Sequence, residues 1–339
     1  MSYKKDNEKK YIELTNKMLS LLPDFVKSYI ISIEFTTTAL TRYEYVKDIS
    51  SFFDYISDTK CISKVILSSL NSLTKQDFEN YFHHLQNYEK NSYFYSNSPV
   101  SIKRKLSAIK GFMTYLFEEN LIETNVITKV KIPKIRKKEI IYLDNEETEK
   151  FLSTVESGGT LTPKQQQYHK IQSTRDLAIC YLLLSTGIRI SECVGIDMKD
   201  IDFTTSSVHI IRKGGKEDTV YFSDEASAFL VEYYEQRRNI ETKEGHETAF
   251  FLSSHKSRIT DRSIENIVKK YAERSVPLKH ITPHKLRSSF ATRLYSETND
   301  IYLVAEDLGH SNLHSVKKYA QIAEKRKEQN RNVIKLRNE

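Results

Sequence analysis

Two stretches in the first third of the chain repeat apolar residues at three- and four-residue steps. Leu40, Tyr43, Val46, Ile49, Phe52, Phe53 and Ile56 fall on one helical face. A second helix is predicted after Asn97-Ser98-Pro99, because proline suits the first helical turn and Ser98 can cap it. There Ile102, Leu106, Ile109, Phe112, Met113 and Leu116 share a face, and Lys103, Arg104, Lys105 and Lys110 fall largely elsewhere. Residues 126–140 are basic, contain Pro133 and show no helical period, as a linker would. Past them a helix is predicted near Asp144, then a polar loop over Ser157–Gln167. An apolar helix follows over about 174–185 and stops at Gly187. Val208–Arg212 and Thr219–Phe222 flank Lys213-Gly214-Gly215-Lys216, the pattern of a β-hairpin, and Ala249–Leu252 reads as a short strand. The expected chain is mainly α. A polar lead-in (1–20) and a helical domain (21–125) precede the linker (126–140), and an α+β domain with a small antiparallel sheet covers 141–339.

Charge adds a surface to this picture. The chain has 339 residues and a formal net charge of +7, and residues 1–140 carry 22 Lys and Arg against 16 Asp and Glu. Residues 101–138 alone hold 10 basic against 3 acidic side chains, a local excess suited to a polyanion. Three cysteines without paired spacing (Cys61, Cys180, Cys193) imply reduced thiols and a cytoplasmic protein, the last two as core filler. No apolar run reaches the ~20 residues of a membrane span.

Candidate chemistry is concentrated in the second half. Arg189 follows the Thr186-Gly187 turn, and Glu192, three residues on, can hold its guanidinium. Taken alone this is an ordinary surface ion pair. Lys213 enters the Gly-Gly turn, where a lysine can supply charge or a proton; Arg212 and Lys216 are rivals for that role. His284 and Arg287 share a face at a helix start opened by Thr282-Pro283, a place that favours anions but equally suits a plain capped surface helix. His310 follows Gly309, and Tyr319 lies at the edge of an apolar stripe of Leu313, Val316 and Ala320. With 21 tyrosines in the chain, composition cannot select this one. Cations, donors and one phenol suffice to attack a phosphodiester without a metal.

Their order selects them. Arg, Lys 24 residues later, His-x-x-Arg, Gly-His, then Tyr nine residues on resembles the tyrosine recombinase/integrase family over nearly all of 141–325. The resemblance implies Arg189, Lys213, His284, Arg287, His310 and the nucleophile Tyr319 as active-site positions. It also implies a DNA-gripping role for the helix bearing Lys103, Arg104, Lys105 and Lys110. Ser288-Ser289 stands where the family frequently has His after the Arg, a departure that bears on helix packing. Leu22–Tyr29, Tyr43–Tyr55 and Ile301–His310 further resemble the bacterial Xer group, its single-protein XerS type above all.

From that likeness follow the expected activity and partners. The expected activity is site-specific recombination through a 3′-phosphotyrosyl link, with no cofactor, in chromosome dimer resolution. The partners would be double-stranded DNA with inverted-repeat half-sites and a homotetramer on paired sites. The terminal tail would dock on a neighbouring subunit, with room for a DNA translocase or accessory protein. Mobile-element integration and a catalytically idle DNA-binding role stand as alternatives. So does a metal hydrolase built on His280/His284 and His310/His314, each pair four apart, although Pro283 interrupts the first and Gly309 borders the second.

Overall fold

The computed structural model describes residues 3–90, 92–131, 139–309, 313 and 316–320. The chain forms two compact units, Met1–Lys138 and Glu139–Glu339.

In the first unit α1 (Tyr3–Leu19), α2 (Asp24–Ser32), α3 (Ala39–Lys60), α4 (Leu67–Asn71), α5 (Lys75–His84) and α6 (Pro99–Glu118) surround one core. Ile49, Phe52, Phe78, Tyr81, Leu106 and Phe112 are among its members. The two helices expected from periodicity are α3 and α6, and Ser98 accepts from the Ser101 N–H as the α6 cap. Leu40, placed on the apolar face by spacing, is exposed. The lead-in is integral to this unit, since α1 packs on α3 and Leu19 joins the core. So is the start of the expected linker, because Ile127 and Val130 are buried there; residues 132–138 lie outside the described residues. One element breaks the helical expectation. An antiparallel ribbon of β1 (Asn87–Lys90) and β2 (Tyr93–Ser96) joins α5 to α6.

The basic face of α6 is partly neutralised. Asp48 of α3 is 1% exposed and accepts from Arg104 Nη1 (2.6 Å), Arg104 Nη2 (3.0 Å) and Lys105 Nζ (2.9 Å). A buried carboxylate needs such partners, so these two cations pin α6 to α3. Lys103 stays exposed and Lys110 half-buried.

The second unit contains α7 (Asn145–Ser157), α8 (Pro163–Thr186), α9 (Ile190–Gly195), α10 (Asp224–Arg237), α11 (Asp261–Ser275), α12 (Pro283–Thr298) and α13 (Ile301–Asp307). Strands β3 (Ile201–Asp202), β4 (Ser207–Ile211) and β5 (Glu217–Tyr221) form an antiparallel meander in that order. The expected hairpin is β4–β5. The expected loop over 157–167 is wrong from residue 163: Thr162 and Gln165 form a capping box, Pro163 takes the first turn, and α8 starts there. Ala249–Leu252 forms only isolated bridges, Asp197 with Ala249 and Leu252 with Arg258. Cys180 and Cys193 are buried, and burial pushes both thiols up. Among the described residues no helix is long and apolar enough to cross a membrane.

Candidate active site

The site is assembled around the end of α8. Gly187 closes that helix with φ +60°, and a Cβ there would lie 2.3 Å from Phe290 of α12. Both the backbone and the close approach therefore require glycine. The chain turns at once into α9, with Arg189 at the cap. Glu192, itself buried, accepts from the Arg189 N–H through Oε2 (2.7 Å) and from Arg189 Nη1 through Oε1 (2.8 Å). One carboxylate thus fixes both the backbone and the guanidinium of Arg189, as the spacing suggested.

Helix α12 brings His284 and Arg287 to the same place. Arg287 is 3% exposed and donates Nη1 to Gly187 O and Nη2 to Leu308 O, both at 2.5 Å. Each carbonyl lies two residues before a sequence-predicted site residue, Arg189 and His310. Burial first, then the charge of Arg189, pushes the Arg287 guanidinium down to about 10, so it remains a cation at pH 7. His284 keeps a solvent-exposed edge. Burial of the rest, then Lys318, Lys285, Arg287 and Arg189, hold its imidazole below the ordinary 6.5. The folded state thus resists a proton that the unfolded chain accepts. Stability contributed by neutral His284 is present above about 6.5 and is lost as pH falls from there through the lower folded value. DNA-free His284→Gln is expected to show a shallower loss of melting temperature between pH 7 and pH 5 than the parent, measured by calorimetry.

The Ser288-Ser289 departure has a structural role. Both side chains are buried; Ser288 Oγ donates to His284 O (3.1 Å), and Ser289 Oγ donates to Lys285 O (2.9 Å) while accepting the Leu143 N–H (2.8 Å). His280 lies before the α12 cap and outside that helix, so it does not share a helical face with His284.

In the β4–β5 turn, the backbone of Lys213 begins a tight 3-10 turn over Lys213–Gly215, closed by the Gly215 N–H on Arg212 O (3.1 Å), and the Arg212 N–H donates to Lys216 O (2.8 Å) across the hairpin. The side chain of Lys213 and all of His310 and His314 lie outside the described residues, as does the tail expected to dock on a neighbouring subunit, with its apolar Ile322, Ala323, Val333, Ile334 and Leu336. Arg212, a sequence-level rival of Lys213, is 4% exposed and engaged with neighbouring elements. Nothing in the sequence marked it as buried, since arginine is mostly an exposed residue.

Tyr319 sits in helical residues 317–320 and is 2% exposed. Its ring packs with Ala291, Val304, Ala305, Leu308 and Val316, and Lys318 Nζ stands 4.9 Å from the ring centre. Leu308 of that cluster is the residue whose carbonyl Arg287 holds, which sets Tyr319 beside the Arg287 anchor. Arg189, His284, Arg287 and Tyr319 therefore converge in one place, although 130 positions separate the first from the last.

Fold and site together define a tyrosine recombinase. Residues 142–326 match the phage integrase family, and the chain belongs to it. Tyrosine recombinase XerS of Lactococcus lactis subsp. cremoris (strain MG1363) is 33% identical over 340 residues, covering 92% of this chain and 95% of that protein. XerS of Streptococcus uberis (strain ATCC BAA-854 / 0140J) is likewise 33% identical, over 343 residues, with the same coverage. The crystal structure of XerH site-specific recombinase bound to difH substrate, a pre-cleavage complex, shares the fold with a TM-score of 0.63. It is 22% identical and covers 88% of this chain and 81% of that one. The chain is thus Xer-like, as its sequence resemblance implied.

Proposed function

We propose that this recombinase cuts and rejoins DNA through Tyr319 in an Xer-type role, the resolution of chromosome dimers. The clustering of Arg189, His284 and Arg287, with Arg287 bonded to the carbonyl of Leu308 in the cluster that buries Tyr319, carries this reading. A free tyrosine is only about 0.1% ionised at pH 7, and holding the phenolate costs about 4 kcal/mol. Cations gathered on one phosphate offset that cost and the charge growing on its equatorial oxygens. In the step itself, Tyr319 Oη bonds to phosphorus and gives up its proton, with His284 as the acceptor. The bond from phosphorus to the 5′ oxygen breaks, and that oxygen takes a proton from Lys213. The 3′-phosphotyrosyl link conserves the bond energy, so a 5′-OH of another duplex can reverse the reaction on a new strand. Arg189, Arg287 and His310 bind phosphate oxygens, and Glu192 supports Arg189.

In this scheme residues 1–138 grip the duplex. Lys103 and Lys110 supply salt-sensitive affinity for the backbone, and Arg104 and Lys105 do so while tied to Asp48. The assembly is a homotetramer on paired sites with inverted-repeat half-sites.

A nicked duplex carrying the site selected from random DNA by the purified protein tests the chemistry. A covalent adduct resistant to denaturation, formed equally in EDTA, is the expected result. No adduct would favour an idle DNA-binding protein, and loss in EDTA a metal enzyme. Genome-wide mapping of bound DNA tests the cellular role. One site near the replication terminus is expected, and sites at the ends of mobile elements would overturn it.

A further inference from the structure

Arg212 is a buried cation outside the proposed set whose contacts all fall on elements beside the site. Its Nε donates to Asp218 Oδ2 on β5 (2.5 Å), and its Nη2 donates to Asp307 O at the end of α13 (2.7 Å). Its Nη1 lies 3.8 Å from Glu192 Oε2, and among the described residues that buried nitrogen has no hydrogen-bond acceptor. A guanidinium spreads its donors over three nitrogens in a rigid plane, whereas a lysine ammonium carries all of its donors on one atom. Gly309 makes the space. At φ +58° it has no Cβ, and one placed there would fall 2.4 Å from Arg212 Cδ and 2.5 Å from Nε. Arginine and glycine thus fit as a matched pair.

The elements joined are not arbitrary. Arg212 adjoins Lys213 in the chain. Glu192 is the carboxylate that fixes Arg189. Asp307 precedes Leu308, whose carbonyl is held by Arg287. General structural support could come from any buried pair; this residue instead links the neighbours of three site positions. We infer that Arg212 is a positioning residue, which sets the β4–β5 turn so that Lys213 can protonate the departing 5′ oxygen. The inference rests on the recombinase reading above and adds to it the origin of the turn's register.

It has a readout that mere stability would not move. In the cleavage step the bond from phosphorus to the 5′ oxygen breaks, and the oxygen must gain a proton. With sulfur in that bridging position the leaving group departs as a thiolate and needs none. Two nicked duplexes differing only in that atom are compared, using Arg212→Lys, Asp218→Asn, Lys213→Ala and the parent protein. Asp218 has a half-exposed side chain, so its change is the milder probe.

Arg212→Lys is expected to bind DNA like the parent, to form adduct about tenfold or more slowly on the oxygen duplex, and to come within about threefold of the parent on sulfur. Parent-like rates on oxygen, or equal losses on both duplexes, overturn the inference. If Arg212→Lys melts below the assay temperature, Asp218→Asn decides by the same criterion. Failure of sulfur to rescue Lys213→Ala overturns the proton-donor assignment and the inference with it. No adduct from the parent on either duplex instead overturns the recombinase reading.

Discussion

Tyr319→Phe is expected to reduce the covalent adduct to background and leave DNA binding intact. Phenylalanine keeps the ring that packs with Ala291, Val304, Ala305, Leu308 and Val316, so the cluster retains its apolar contacts. Only the hydroxyl is lost, and a single hydrogen-bonding group contributes about 1 kcal/mol to stability. Covalent catalysis, in contrast, has no substitute once the attacking oxygen is gone. Electrophoretic shift and denaturing gels on the same nicked duplex separate the two effects. An adduct formed by the variant would remove Tyr319 from the role of nucleophile.

The second large effect belongs to Arg287→Ala, which should impair chemistry and folding together. Loss of one preorganised donor to a developing oxyanion lowers the rate by about 10²- to 10³-fold. The same change strips Gly187 O and Leu308 O of their donor in a buried place. Each stranded carbonyl costs about 1–3 kcal/mol, so the unfolding free energy should fall by about 2–6 kcal/mol. Arg287→Lys restores the charge, but one ammonium nitrogen replaces the two that hold the separate carbonyls, and little of either loss should return. Single-turnover adduct rates and urea unfolding check both parts. A stable Arg287→Ala protein with parent-like cleavage would exclude this arginine from the site.

Where local rules governed, the sequence was readable. Ser98-Pro99 and the spacing of Ile102 through Leu116 identified α6, and the Lys-Gly-Gly-Lys turn identified β4–β5. The start of α8 was missed because its first turns are polar and carry little apolar period, although Thr162-Pro163 and Gln165 held the capping signal. The β1–β2 ribbon was missed because Tyr93–Ser96 is exposed throughout and lacks the alternation of a half-buried strand. Glu192 could be paired with Arg189 because they are three residues apart. The contacts of Asp48 with Arg104 and of Arg212 with Asp307 span 56 and 95 positions, and no local pattern announces them. The convergence of Arg189, His284, Arg287 and Tyr319 is likewise a property of packing, not of spacing.

Helix α13 ends with its carbonyl pole at Asp307 and Leu308. A helix terminus of that sense repels polyanions. Here two guanidiniums, from Arg212 and Arg287, sit on those last carbonyls. They invert the local field, so that a pole which would fence off a nucleic acid backbone becomes hospitable to it. A chain that kept Tyr319 and Lys213 but lost this pair of electrostatic plugs would turn its own helix against its substrate.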